Sequence, residues 1–120
     1  MYWGQVLQSR IKIIARRNLK MTPGKLAAQS VHAALGLASR LANDAGEVNE
    51  MANLTTVVLE YSDQKYRRAL IEQALLSNPV YIFKDAGYTE VEAETETCAA
   101  FMEFDPKGDE HDKTEEREED

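Results

Sequence analysis

The chain has 120 residues, 43% of them hydrophobic, which is enough for one globular domain with a real core and too short for two. Its formal net charge of −7 argues against a nucleic-acid partner only until its distribution is considered, because residues 107–120 alone contribute −5. Residues 1–43 contain seven Lys or Arg and no Asp or Glu, so the first third predicts a basic surface suited to phosphates.

The sequence argues against a membrane or secreted protein. It has no run of about 18 apolar residues that would span a membrane. The first residues, MYWGQVLQSRIK, lack the apolar segment and small-residue cleavage site of a signal peptide. Cys98 is the single cysteine, so we expect no internal disulfide and a small buried thiol. We therefore expect a cytoplasmic protein.

Residues 1–10 are predicted to be an N-terminal extension, followed by one domain over 11–106. Its first strand is predicted at 11–15, where β-branched residues dominate, and its first helix at 22–41. Residues 42–53 are polar and predict an irregular connector. A second strand at 54–61, a helix from Ser62 or Asp63 to about 76, and strands at 80–83 and 97–104 follow. The order β-α-β-α-β-β predicts an α/β domain with a mixed four-stranded sheet and helices packed on it.

Beyond this domain, residues 107–120 carry eight acidic and three basic residues. A segment so polar cannot bury enough apolar surface to offset the entropy of ordering, so we predict an acidic, disordered tail. Two roles remain open for it. It either solubilises the protein or folds back over the basic first third and competes with phosphates.

The first helix begins with a polar stripe in the segment KMTPGKLAAQSVHAAL. Thr22 is a good N-cap and Pro23 suits the first helical position. Lys25, Gln29 and His32 follow at spacings that place them on one face of the helix. A helix start attracts anions, so this stripe is a candidate site, although each of its residues taken alone is more often ordinary helix surface.

A second candidate position is Asp85, directly after the third predicted strand. The carboxyl ends of parallel strands meet at one edge of an α/β sheet, where ligands usually bind. Two βαβ units would bring Asp85 to the start of the first helix. We therefore expect Asp85 to lie near Lys25, although 60 residues separate them in the chain.

Several other catalytic sites are excluded by their motifs. Gly24 and Lys25 are not part of a phosphate-binding Walker loop, because Leu26 stands where Ser or Thr is required. No G-x-G-x-x-G and no G-x-S-x-G motif occurs. The two histidines and one cysteine do not form a zinc-ligand pattern. A lysine, a carboxylate and hydroxyl groups remain, so we expect no metal and no cofactor.

At these residues the chain resembles the peptidyl-tRNA hydrolase 2 family, the archaeal and eukaryotic type. The first signature of that family is a strand ending in arginine, then a segment similar to D-L-K-M-G-K-G-K-hydrophobe-A-A-Q-x-x-H-A-A. Here Arg16 is followed by NLKMTPGKLAAQSVHAA. The second signature is similar to D-A-G-R-T-Q, a short loop and a T-V-L-x-I-x-P strand, and stands here as DAGYTEVEAETETCAAFMEFDP. The resemblance covers about residues 11–106.

The resemblance implies a mixed four-stranded sheet, often a homodimer, and hydrolysis of the ester that joins a peptide to the 3′ ribose of tRNA. Peptidyl-tRNA is then the partner. The positions that match residues usually given catalytic roles are Lys25, Asp85 and Thr89. Arg16, Lys20, Gln29 and His32 match remaining motif positions, and we assign them to substrate binding. We assign Tyr88 to substrate binding as well, although it stands where the family has an arginine.

The chain also departs from the family pattern. Asn18 replaces an aspartate, Thr22-Pro23 replace Gly-Lys, Tyr88 replaces an arginine and Glu90 replaces a glutamine. Fewer cations predict weaker tRNA binding. Tyr88 either stacks on the terminal adenine or is a tyrosine at the rim of the site. These departures leave a second hypothesis open, a catalytically inactive binding module of the same fold for tRNA, a nucleotide or a protein.

Overall fold

A computed structural model describes residues 9–85 and 95–104 of the chain. Three of the predictions concern segments outside these residues. They are the N-terminal extension up to residue 8, the loop that carries Tyr88 and Thr89, and the acidic tail at 107–120.

The four strands and two of the helices lie where the sequence predicts them, with ends that differ by a single residue at most. The elements are β1 (Arg10–Arg16), a 3-10 helix (Arg17–Leu19), α1 (Pro23–Leu41), α2 (Ala45–Ala52), β2 (Thr55–Tyr61), α3 (Asp63–Leu75), β3 (Val80–Lys84) and β4 (Glu96–Glu103). Among the described residues no helix is long and apolar enough to cross a membrane.

The strands form one mixed four-stranded sheet, as predicted, and their order in the sheet is β2-β1-β4-β3. β1 pairs in parallel with β2, and β4 pairs antiparallel with both β1 and β3. β1, β2 and β3 therefore run in the same direction, so their carboxyl ends lie at one edge of the sheet. The start of α1 lies at this edge because α1 follows β1 after a short connection. Asp85 lies at the same edge because it directly follows β3.

The alternation of side chains along the strands divides the core between the two faces of the sheet. Helices α1 and α2 cover one face, over a cluster formed by Ile11, Ile13, Ala15, Ala33, Leu37, Met51, Cys98, Ala100 and Met102. Helix α3 covers the other, over Ile14, Tyr61, Tyr66, Ala99 and Phe101. Because β1 and β4 contribute to both clusters, they are the central strands that fix the position of each helix.

The prediction of an irregular connector at 42–53 is wrong, because the structure forms helix α2 there. Asp44 caps this helix, and its Oδ1 accepts a hydrogen bond from Glu47 N at 2.9 Å. Glu47 Oε1 in turn accepts one from Asn43 N at 2.7 Å. Met51 is 2% exposed and holds the helix against the core. The capping pattern D-x-x-E was visible in the sequence, but the helix has too few apolar residues to show a clear period.

Candidate active site

The start of α1 has the capping that the sequence predicts. Thr22 Oγ1 accepts a hydrogen bond from Lys25 N at 3.3 Å, and Pro23 is the first residue of the helix. Leu26 N donates to Thr22 O at 2.8 Å. Of the first four helical residues, Pro23 has no N–H and the N–H groups of Lys25 and Leu26 are already bonded, which leaves that of Gly24. The side chains, more than the helix end itself, therefore provide the groups available to a substrate.

Lys25 and Asp85 lie in direct contact, which confirms their expected proximity. Lys25 Nζ is 2.6 Å from Asp85 Oδ2, and Gln29 Nε2 donates to the same oxygen at 2.8 Å. The Asp85 side chain is 5% exposed and that of Lys25 11%. Two donors on one oxygen suit an ionised carboxylate, which can only accept hydrogen bonds. The site is a lysine–carboxylate pair at the edge of the sheet, largely shielded from water.

A second contact fixes the amide of Gln29. Thr97 Oγ1 donates a hydrogen bond to Gln29 Oε1, and both residues are buried. Because Oε1 accepts from Thr97, the amide must present its NH₂ group to Asp85. The residues therefore form a chain of polar contacts from Thr97 through Gln29 to Asp85 and Lys25.

Thr97 reaches Gln29 because of a β-bulge. Phe83 pairs with Cys98 and Lys84 pairs with Glu96, so Thr97 is an extra residue on β4. Regular alternation would place the side chain of Thr97 on the α3 face of the sheet, opposite to that of Cys98. The bulge turns it towards α1 instead. Thr97 could not be predicted from the sequence, because the bulge depends on how two separate strands pair.

Cys98 also contacts Gln29, but through the backbone. Its Sγ lies 3.2 Å from the Gln29 carbonyl oxygen, to which the thiol donates. The side chain is 0% exposed, and burial raises the pKa of the Cys98 thiol to about 11. The thiol is therefore protonated at neutral pH and unsuited to act as a nucleophile. This matches the buried thiol predicted from the sequence.

The remaining residue of the stripe, His32, lies against β3. Its ring stacks on Phe83 with the ring centres 4.7 Å apart and an angle of 14° between the planes. One turn further along α1, a Cβ atom at Gly36 would lie 2.2 Å from Tyr81 Cε1. The absence of a side chain at Gly36 thus allows α1 to approach β3 closely. This approach brings the stripe of α1 over the end of β3 and hence over Asp85.

Two other predicted substrate-binding residues, Arg16 and Lys20, do not take part in the hydrogen bonds described between Lys25, Gln29 and Asp85. Arg16 lies on the α3 face of the sheet, where its Nη2 is 3.1 Å from Asp63 Oδ1 and its Nη1 donates to Glu96 O at 2.9 Å. Lys20 is exposed, with φ at 52°, where it ends the 3-10 helix. Tyr88 and Thr89 lie outside the described residues.

The basic first third is less available to a phosphate than the sequence suggests. Arg10 and Lys12 are buried and both pair with Glu103 on β4. Arg16 and Lys25 are also ion-paired, as described above. Four of the seven Lys and Arg residues in this region therefore already contact carboxylates of the protein itself.

The arrangement is suited to acid–base chemistry on a carbonyl compound. A buried carboxylate can orient or deprotonate a water molecule. A neighbouring ammonium group can stabilise negative charge that develops on an oxygen in the transition state. Within residues 9–85 and 95–104 no group of three His, Cys, Asp or Glu residues is placed to hold a metal ion.

The chain is similar to known proteins over most of its length. A family model described as peptidyl-tRNA hydrolase PTH2 matches residues 9–107. A protein named peptidyl-tRNA hydrolase from Methanothermobacter thermautotrophicus is 35% identical over 91 residues, covering 72% of this chain and 78% of that protein. One of the same name from Methanopyrus kandleri is 38% identical over 89 residues, covering 72% and 77%. A third, from Haloquadratum walsbyi, is 33% identical over 89 residues, covering 73% and 80%. The chain therefore belongs to the peptidyl-tRNA hydrolase PTH2 family.

Proposed function

We propose that this protein hydrolyses the ester bond between a peptide, or an N-blocked amino acid, and the 3′ ribose of tRNA. The observation that carries this proposal is the contact of 2.6 Å between Lys25 Nζ and Asp85 Oδ2 at the sheet edge. The three archaeal relatives are named peptidyl-tRNA hydrolases, which is the activity proposed here. The products are free tRNA and a free peptide.

The chemistry follows from the positions of the side chains. Asp85 accepts a proton from a water molecule as the water oxygen attacks the ester carbonyl. Lys25 stabilises the negative charge that forms on the carbonyl oxygen. When the intermediate collapses, the proton passes to the departing 3′ oxygen of the ribose. Gln29, itself oriented by Thr97, keeps the Asp85 carboxylate in place.

The other assigned residues have supporting roles in this proposal. Lys20 is exposed and free to approach tRNA phosphates, whereas Arg16 acts from the opposite face by holding the first turn of α3 through Asp63. Thr89 and Tyr88 are proposed to act next to Asp85 and on the terminal adenine. A cytoplasmic setting fits a reaction of translation, and a homodimer fits the family.

The alternative of an inactive binding module is less well supported. A module that only binds tRNA would not require a lysine and a carboxylate to be held in contact by a buried glutamine. The relatives are also named as hydrolases, not as binding proteins.

The test is release of free tRNA from an N-blocked aminoacyl-tRNA. We expect turnover by the wild type, and a fall in kcat of about 10²-fold or more for Lys25→Ala and for Asp85→Asn. Lys84→Ala is a matched control, because Lys84 is exposed and directly precedes Asp85. Its kcat should stay close to the wild-type value. No turnover by the wild type at high enzyme concentration contradicts the proposal, and full activity in both variants contradicts the assigned roles.

A further inference from the structure

An apolar groove lies on the flank of α1 away from Asp85, between this helix and β2. It has a volume of about 500 Å³, within the usual range of ligand sites. The residues that line it are Ile13, Pro23, Leu26, Ala27, Ser30, Val31, Ala34, Thr56 and Val58. Val31 is 56% exposed and Val58 43%, so this apolar surface is open to solvent.

The groove borders a strand that can pair with another chain. β2 is at the edge of the sheet, and among the described residues only β1 pairs with it. Its register with β1 is continuous over seven residue pairs. Edge strands are usually protected by Pro, charged side chains or a bulge. β2, with the sequence TTVVLEY, has no Pro and no bulge in its pairing with β1, and Glu60 is its one charged residue. An extended peptide can therefore bind to its outer edge through main-chain hydrogen bonds.

One end of the groove also lies next to Lys25 along α1. Pro23 and Leu26, at one end of the groove, flank Lys25 in the first turn of α1. Between them Gly24 is exposed, and a Cβ atom there would meet nothing within 4 Å. The surface at Gly24, between Pro23 and Lys25, is thus open. From Pro23 to Ala34 the groove follows α1 for about 16 Å, the length of roughly five extended residues.

We propose that this groove and the edge of β2 bind the peptide part of the substrate, upstream of the residue whose ester is cleaved. The inference rests on the proposed function. A hydrolase of peptidyl-tRNA meets peptides of every sequence, so its peptide site cannot depend on particular side chains. Pairing with a strand edge recognises the main chain, and an apolar groove without charged residues accepts varied side chains.

The proposal predicts a dependence on peptide length. To reach the groove from Lys25, a peptide must cross the start of α1, a distance of about 10 Å or three extended residues. An N-acetylaminoacyl-tRNA is too short to reach it, whereas an octapeptidyl-tRNA occupies it. The wild type should therefore show a lower KM for the octapeptidyl substrate.

The experiment compares these two substrates, with the same C-terminal amino acid, in the wild type and in surface variants. Val31→Asp places a charge in the groove, and Ala27→Trp fills it. Both should raise KM for the octapeptidyl-tRNA by about tenfold, with kcat unchanged, because the lost contact is that of one apolar side chain. Neither should change KM for N-acetylaminoacyl-tRNA. Leu35→Asp is the matched control, since Leu35 is 62% exposed on the same helix but does not line the groove.

Other results overturn the proposal in distinguishable ways. If the variants leave both KM values unchanged, the groove does not bind the peptide. If they impair both substrates equally, the groove serves another occupant, and sedimentation of the wild type and Val31→Asp then shows whether that occupant is a second copy of the chain. If the wild type cleaves neither substrate, the proposed function itself fails.

Discussion

Removal of the Thr97 hydroxyl tests whether the orientation of Gln29 matters for the reaction. In Thr97→Val the side chain keeps its shape, but Gln29 Oε1 loses its donor in a buried site. A buried acceptor without a partner costs about 1–3 kcal/mol, and the added methyl group offsets up to about 0.8 kcal/mol. We expect the free energy of unfolding in guanidinium chloride to fall by about 1–2 kcal/mol.

The same change should slow the reaction. Without the Thr97 hydroxyl, the Gln29 amide can turn and present its oxygen to Asp85. That oxygen repels the Asp85 carboxylate and disturbs its position. If the transition state loses a similar amount of stabilisation, about 1–2 kcal/mol, kcat should fall about tenfold. KM should not change, because Thr97 is 0% exposed and cannot touch the substrate.

Two variants separate this explanation from a general loss of stability. Thr97→Ser keeps the hydroxyl and should retain most of the wild-type kcat. Thr55→Val makes the same substitution at an exposed position of β2 and should change stability by less than about 0.5 kcal/mol. A Thr97→Val protein with wild-type kcat and wild-type stability refutes the reasoning.

Three further predictions concern the core. Tyr66 Oη is buried and has no hydrogen-bond partner among the described residues, so Tyr66→Phe should leave stability in urea unchanged or raise it by up to about 1 kcal/mol. The pKa of Cys98 is raised from 9.0 to about 11, so the unfolded chain loses its thiol proton first and stability should fall as the pH rises from 9 to 11. In Cys98→Ala the contribution of the thiol to this fall in stability should disappear. If stability falls as steeply with pH in Cys98→Ala as in the wild type, other groups cause the fall. In Gly36→Ala the new Cβ would crowd the ring of Tyr81, so thermal unfolding should show a loss of about 1 kcal/mol despite the higher helix propensity of alanine. Gly24→Ala, where the added atom meets nothing, should show no loss.

The ends of the strands and of the two longer helices depend on local interactions and could therefore be predicted from the sequence. The apolar runs of β1 and β4 and the cap formed by Thr22 and Pro23 act within a few residues of the chain. The contact between Lys25 and Asp85 could be predicted too, although it is not local. Parallel strands with helical crossovers leave only one edge of the sheet where both residues can lie.

Other features were decided only when the strands paired. The bulge on β4 turns Thr97 towards Gln29, and no local pattern around residue 97 indicates it. The side of the sheet on which Arg16 lies also depends on how the strands pair. In the structure Arg16 forms an ion pair with Asp63, on the face opposite to Lys25. The sequence alone thus determined the strands, the two longer helices and the central pair of the site, because short-range propensities and chain topology restrict them. The partners of buried polar groups depend on contacts between distant segments, so only the tertiary structure could decide them.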